Sequence, residues 1–477
     1  MSLTPFALTS IIYKKWYNTT FVAIALLIIL FTFLLPTPEG LSFSGKMMIG
    51  ILLAAAILWI TEPIPLAATG LFIMVLQPLF NIMPAESVFQ SFGNQAVFFL
   101  IGAFIIAAAI EANGLHKRMA LRFLKQFEQS PRIFTFGIML SCATLSFIIP
   151  NHAVAAFFLP IVASILLAMK LIPKESNFGK ISILSIAYGC SIGSLGTLIG
   201  GARNPLTIGY LSDIGINVSF IDWIIYSMPV VIISIPVVWL ILQLMFPIEH
   251  IDINLAKNEI EQQVAQQGPL RKNEYIVISV MTATILLWIF FSDVNNIPYL
   301  GLAGIAVLGS ILLFLFGTIT WNDIEKKVPW GIILLYGGAI TLGLGMQQTG
   351  AGKWIAEQIF TVSLGNTYLV IFGLIFFAML LTNIMSNTGA VAVLLPIGIA
   401  ISGEIPLISP LLSSMIIALS GGLAFVFIIA TPGNAVTYSA GFYSTRDLFK
   451  VGMLANIMCL FILFTIAIIY WMKILGI

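Results

Sequence analysis

Apolar runs of about 20 residues recur along almost the whole chain, and each is long enough to cross the hydrocarbon of a bilayer as a helix. Of 477 residues, 60% are hydrophobic and 8% charged, which excludes a soluble domain and predicts an all-α polytopic membrane protein. The net charge of +2 says little about partners, because in such a protein the position of each charge along the chain is what matters. The bilayer is the expected surrounding, and no nucleic-acid partner is expected. Cys142, Cys190 and Cys459 lie in apolar runs without metal-ligand spacing and read as buried, inert thiols. The first apolar run, near Phe21 to Leu35, has no small-residue cleavage site and reads as a true span.

Charges orient the spans. Lys14 and Lys15 place the N-terminus in the cytoplasm, and spans follow at about 47–61, 64–80 and 94–111. Lys117, Arg118, Arg122, Lys125 and Arg132 then mark a basic amphipathic helix at the cytoplasmic interface. The next apolar stretch, 134–168, has basic flanks on both sides, which predicts a re-entrant hairpin with Pro150-Asn151-His152 at its tip. Residues 181–211 form one crossing interrupted by glycines and by Arg203-Asn204-Pro205, a helix broken into two halves. A span near 223–246 leads into a polar cytoplasmic linker, 247–274.

The second half of the chain repeats the first. Gly102-Ala103, Gly114, Lys117 and Ala120 find Gly338-Ala339, Gly350, Lys353 and Ala356 at an offset of 236 (338 minus 102), and Leu58-Trp59-Ile60 and Ile64-Pro65 find echoes in Leu287-Trp288-Ile289 and Ile297-Pro298. The tip Asn151 answers Asn387 at that same offset, within the polar cluster Thr382-Asn383-Ile384-Met385-Ser386-Asn387-Thr388-Gly389. Amides and hydroxyls in hydrocarbon are costly unless something is bound or bonded there. Asn204 and Thr207 answer Asn434 and Thr437 at an offset of 230 (434 minus 204). The organisation expected is an N-terminal segment with its span (1–45), repeat one (46–246, hairpin 134–168, broken helix 181–211), the linker, and repeat two (275–477, hairpin 366–402, broken helix 411–443). Five crossings per repeat is odd, so the second is inverted, giving about 11 transmembrane helices and an external C-terminus. Hairpin tips and helix breaks then meet near the midplane. Free N–H groups there favour anions and free carbonyls favour cations, as in an anion transporter. No His-Glu metal motif or acidic pair suggests an enzyme.

Ser386-Asn387-Thr388, its altered mate Pro150-Asn151-His152, the run Gly196-Thr197-Leu198-Ile199-Gly200 and the break Ile429-Ala430-Thr431-Pro432-Gly433-Asn434 resemble the divalent anion:sodium symporter family over almost the whole chain. The resemblance implies homodimers working by an elevator motion, with a scaffold from residues 1–132 and 275–365 and a moving part from 133–246 and 366–477. It implies a dicarboxylate of the succinate, malate or oxoglutarate class held by Asn151, Asn387 and Thr388, with Thr431 and Pro432 nearby, and sodium held by Thr382, Ser386, Asn387 and the Ala430 carbonyl.

The first sodium site departs from the family's pattern. Ser146, Asn151 and Gly200 remain, but Pro150 removes a hydroxyl and an N–H, His152 replaces a threonine, and Gly201-Ala202-Arg203 stands where Thr-Pro-Pro is usual. Arg203 stays charged, and with His152 it is expected to supply fixed positive charge to the substrate. That expectation puts dicarboxylate exchange ahead, with sodium symport as the alternative and an inorganic divalent anion such as sulfate as the second. Each residue also has a plainer role: His152 as a packing hydrogen-bonder, Arg203 snorkelling to an interface, Thr431-Pro432 as a kink. No cofactor other than sodium is expected.

Overall fold

The computed structural model describes residues 5–292, 300–363 and 365–477, with side chains described from Trp16 on. Lys14 and Lys15, Ile297 and Pro298 therefore lie outside the described side chains. Among the described residues every regular element is helical.

The chain opens with α1 (Pro5–Leu34), α2 (Phe43–Thr61), α3 (Leu66–Leu79), the short α4 (Ala85–Gln90) and α5 (Gln95–Ala112). Polar caps set the starts: Ser42 Oγ accepts the Gly45 N–H at 3.0 Å, and Asn94 Oδ1 accepts the Ala96 N–H at 2.8 Å. Helix α6 (Leu115–Leu124) lies before the pair α7 (Pro131–Leu145) and α8 (Asn151–Ala168), and α9 (Asn177–Gly193), α10 (Arg203–Asp213) and α11 (Phe220–Met245) follow. After α12 (Ile253–Gln266) come α13 (Lys272–Phe291), α14 (Gly301–Leu315), α15 (Trp321–Lys327), α16 (Trp330–Gln348) and α17 (Ala351–Ser363). The second pair is α18 (Thr367–Ile384) and α19 (Asn387–Glu404), then α20 (Pro410–Ser420), α21 (Pro432–Tyr438) and α22 (Thr445–Ile466), which runs on as a π-helix, Ala467–Leu475.

Ten helices are long and apolar enough to cross a membrane among the described residues. That set includes the arms α8, α18 and α19 and leaves out the shorter α3 and α14 and both interrupted helices. The protein is an integral, multi-pass membrane protein.

Two features differ from the expectation. The linker is not merely polar chain, because Asp252 caps α12, whose Ala256 and Ile260 are buried. Gln263 on α12 donates to Ser164 of α8 at 2.8 Å, so the linker helix is tied to the first hairpin. Arg118, expected at the lipid interface, is only 5% exposed. Its guanidinium bonds Glu274 Oε1 at 3.1 Å and donates to the carbonyls of Gly268 (2.7 Å), Gln267 (3.0 Å) and Pro269 (3.3 Å). A charge buried this way is paired with a carboxylate and bonded through all three of its nitrogens, as burial demands.

The two hairpins pack alike. Helix α7 lies along α9, and α8 touches both α9 and α21; α18 and α19 lie on α20, and α19 also touches α10. Around them α5 packs on α14, α3 on α16, and α1 on α2, while α10 touches both α5 and α16. At α22, Ser444 Oγ accepts the Asp447 N–H at 3.1 Å while Asp447 Oδ2 accepts the Ser444 N–H at 3.0 Å. Ser444→Ala removes that reciprocal cap and is expected to cost about 1 kcal/mol, read as a small fall in melting temperature in detergent with transport unchanged.

Candidate functional site

The candidate site lies where α7 meets α8 and α18 meets α19, and where α9 and α20 stop short of α10 and α21. In the first turn Pro150 precedes α8 with no side-chain cap, so the first N–H groups of α8 have no capping acceptor. In the second, Ser386 Oγ accepts the Gly389 N–H at 3.2 Å and starts α19. Just before it, the Thr382 hydroxyl lies 2.8 Å from Asn387 Oδ1 and 2.6 Å from the Gly421 carbonyl oxygen. One hydroxyl, one amide oxygen and one carbonyl thus converge, an oxygen set that suits a hard cation such as sodium. The 3-10 turn Ile428–Ala430 packs against α18, and Val426 just before it donates its N–H to Asn383 Oδ1 at 2.9 Å.

At the first turn, which answers Thr382 with Ser146, the serine hydroxyl is buried and unpartnered. Gly200 backs onto the carbonyls of Ser146 and Ser194 closely enough that a Cβ has no room. The set there is Ser146, Gly200 and the neighbouring carbonyls, without the second hydroxyl that Pro150 replaces.

Both breaks are held open by one device used twice. Asn204 Nδ2 donates to the carbonyls of Ser194 at 2.8 Å and Thr197 at 2.7 Å; Asn434 Nδ2 donates to those of Ala424 at 3.2 Å and Phe427 at 2.9 Å. Acceptors and donors correspond at the offset of 230 seen in the sequence (424 minus 194, 427 minus 197). Carbonyls freed where a helix stops inside a bilayer need a donor, and the asparagine amide supplies it. Thr431 Oγ1 accepts the Asn434 N–H at 3.0 Å and starts α21, with Pro432 exposed beside it.

Arg203, expected to face the substrate, is 2% exposed and enclosed between the breaks. Its Nη2 donates to Ser194 Oγ at 2.9 Å and its Nε to the Ala418 carbonyl at 3.1 Å. Contacts therefore run unbroken from Ser146 through Gly200 and Ser194 to Arg203, and on through α20 to Gly421, Thr382 and Asn387. Asn151, His152, Ser386, Asn387 and Thr388 remain partly exposed at the turns. His152 makes no hydrogen bond among the described residues. Sequence reasoning missed the roles of Ser194, Ala418 and Gly421; their only signal is that they stand within the glycine-interrupted stretches.

A cleft of about 460 Å3 opens between α5, α10 and the start of α11, with Asn94, Ser212 and Asp222 on its walls, and reaches Leu198 and Pro205 at the first break.

The profile of the sodium:sulfate symporter transmembrane region matches residues 14–477. The sodium-dependent dicarboxylate transporter SdcS of Staphylococcus saprophyticus is 29% identical, covering 94% of this chain and 91% of its own. SdcS of Staphylococcus aureus is 31% identical with the same coverage. Among solved structures, MtrF of Neisseria gonorrhoeae, whose description speaks of antimetabolite efflux pumps, superposes with a TM-score of 0.58 at 13% identity over 95% of this chain and 94% of that one. The YdaH transporter of Alcanivorax borkumensis gives 0.53 at 12% identity, over 80% and 86%. At such identities the likeness concerns the fold.

Proposed function

This chain belongs to the sodium:sulfate symporter family, and from that premise we propose that it carries small dicarboxylate anions across the membrane, coupled to sodium at the Thr382 cluster. It is a transporter and not an enzyme. The observation that carries the reading is the Thr382–Asn387–Gly421 oxygen cluster beside the partly exposed tip Ser386-Asn387-Thr388. The names of the SdcS relatives, which specify sodium and dicarboxylates, support it. The matching Asn204 and Asn434 clamps and the matched packing of the two hairpins support two inverted repeats with eleven spans, N-terminus inside and C-terminus outside. An elevator motion of 133–246 with 366–477 in a homodimer is part of the same reading.

In this scheme the carboxylates meet the side-chain amides of Asn151 and Asn387, the Ser386 and Thr388 hydroxyls, and the first N–H groups of α8 and α19, which favour anions. Thr431 and Pro432 close the pocket from the second break, and His152 adds a donor. Bound at Thr382, Ser386, Asn387 and the Gly421 and Ala430 carbonyls, sodium would supply positive charge beside the dianion. Ser146, Asn151 and Gly200 form the reduced first site. The buried guanidinium of Arg203, with no carboxylate partner among the described residues, favours a second reading, dicarboxylate exchange.

Labelled succinate, oxoglutarate and sulfate uptake into proteoliposomes, empty or dicarboxylate-loaded, with sodium or choline outside, tests the proposal. Saturable dicarboxylate uptake into empty vesicles that collapses in choline is expected. Uptake only into loaded vesicles, indifferent to sodium, would establish exchange instead, and a preference for sulfate would overturn the substrate class.

A further inference from the structure

Helices α9 and α20 both stop inside the protein, and Arg203 bonds the C-terminal end of each, the Ser194 hydroxyl at α9 and the Ala418 carbonyl at α20. Each end carries about half a negative charge. At α20 the Gly422 N–H turns to the Leu419 carbonyl, so the Ala418 carbonyl loses the donor that a continuing helix would supply. Arg203 Nε takes that acceptor at 3.1 Å. At α9 the cap residue Ser194 gives its own proton to the Ser191 carbonyl at 2.7 Å and turns its oxygen to Arg203 Nη2 at 2.9 Å. No carboxylate pairs with Arg203 among the described residues, so what offsets the buried charge is the two helix ends and these acceptors. Glycine at 201 and 422 leaves space for the guanidinium, which a Cβ at either position would meet.

We infer that Arg203 is a permanently bound cation seated between the C-terminal ends of α9 and α20, and that it fixes the two breaks to one another instead of touching the substrate. The uptake arm of the test below rests on the dicarboxylate-carrier reading, whereas the seat itself does not.

An emptied seat should accept a cation of the same shape. In purified Arg203→Ala, millimolar guanidinium is expected to raise the melting temperature in detergent above any shift it gives wild type, while urea, its neutral near-isostere, does not. Succinate uptake by Arg203→Ala is expected to fall at least tenfold and to recover several-fold with guanidinium inside and out. Gly422→Ala keeps the arginine but crowds its seat, so it should lose uptake comparably and gain nothing from guanidinium. Arg203→Ala with wild-type uptake and no guanidinium-specific shift would overturn the inference. Should Arg203→Ala fail to fold even with guanidinium, Gly422→Ala decides, and wild-type uptake by it would count against the seat. If the wild-type protein moves no dicarboxylate, the carrier reading fails, while the guanidinium shift still reports on the seat.

Discussion

Asn387→Ala is expected to lower sodium-driven dicarboxylate uptake about 100-fold while leaving the protein folded and monodisperse. The side chain has two ends with separate duties. Its Oδ1 lies 2.8 Å from the Thr382 hydroxyl within the oxygen cluster, and its Nδ2 has no partner among the described residues, at a partly exposed position on the first turn of α19. A hydrogen bond to a charged group contributes about 1.5–3 kcal/mol, and each 1.36 kcal/mol is a factor of ten, so losing the carboxylate donor alone predicts roughly 10- to 150-fold. Loss of an oxygen from the cation cluster adds to it. Asn387→Asp separates the duties, since it keeps the acceptor toward Thr382 but sets a negative charge against the dianion. It should retain the sodium-induced rise in melting temperature while losing uptake. Initial uptake rates at matched reconstitution, with sodium titrations of the melting temperature, provide the check. Uptake by Asn387→Ala within threefold of wild type would remove this tip from the binding site.

The parts of this site legible in the sequence are those where the bilayer makes polarity expensive. Asn151, Thr382, Asn387, Asn204 and Asn434 stand out because an amide or hydroxyl inside an apolar run requires a partner, and the repeat offsets of 236 and 230 single them out again. Helices α7 and α8 part at 146–150, α18 and α19 at 385–386, and α9 and α10 at 194–202, each beside one of those polar residues. What stayed hidden is where a long side chain goes. Arg203 heads a half-helix, and nothing local tells whether its guanidinium points into the pocket or back to Ser194 and Ala418, because Ala418 lies 215 positions away. Arg118 is hidden for the same reason, since Glu274 is 156 positions on and its surrounding carbonyls belong to the linker. Helix α12 is legible in the same way, since Asp252 as a cap, followed by Ile253, Ala256, Ile260 and Val264 at helical spacing, marks an amphipathic helix within the polar linker.

Asn204→Leu and Asn434→Leu are each expected to unseat a helix break, and to do so by similar amounts. Leucine keeps asparagine's branch at Cγ but is bulkier, so some overpacking at these buried positions adds to the loss of the amide. In each case two carbonyls lose their donor: those of Ser194 and Thr197 in the first break, and those of Ala424 and Phe427 in the second. The asparagine Oδ1 atoms are buried without partners already, so removing them costs nothing and returns part of their desolvation penalty. Two buried unsatisfied carbonyls at about 1–3 kcal/mol each give roughly 2–6 kcal/mol per variant, a large fraction of the 5–15 kcal/mol typical of a folded protein. Asp is the sharper test because it is closer in shape, cannot donate when ionised, and sets its charge against the two carbonyls. It should be the worse substitution at both positions. Melting curves in detergent for the four single variants should therefore pair by residue type and not by half of the chain. A break that tolerates leucine while its counterpart does not would mean that one helix interruption is held by something other than its asparagine, and the equivalence of the two halves of the site would fail with it.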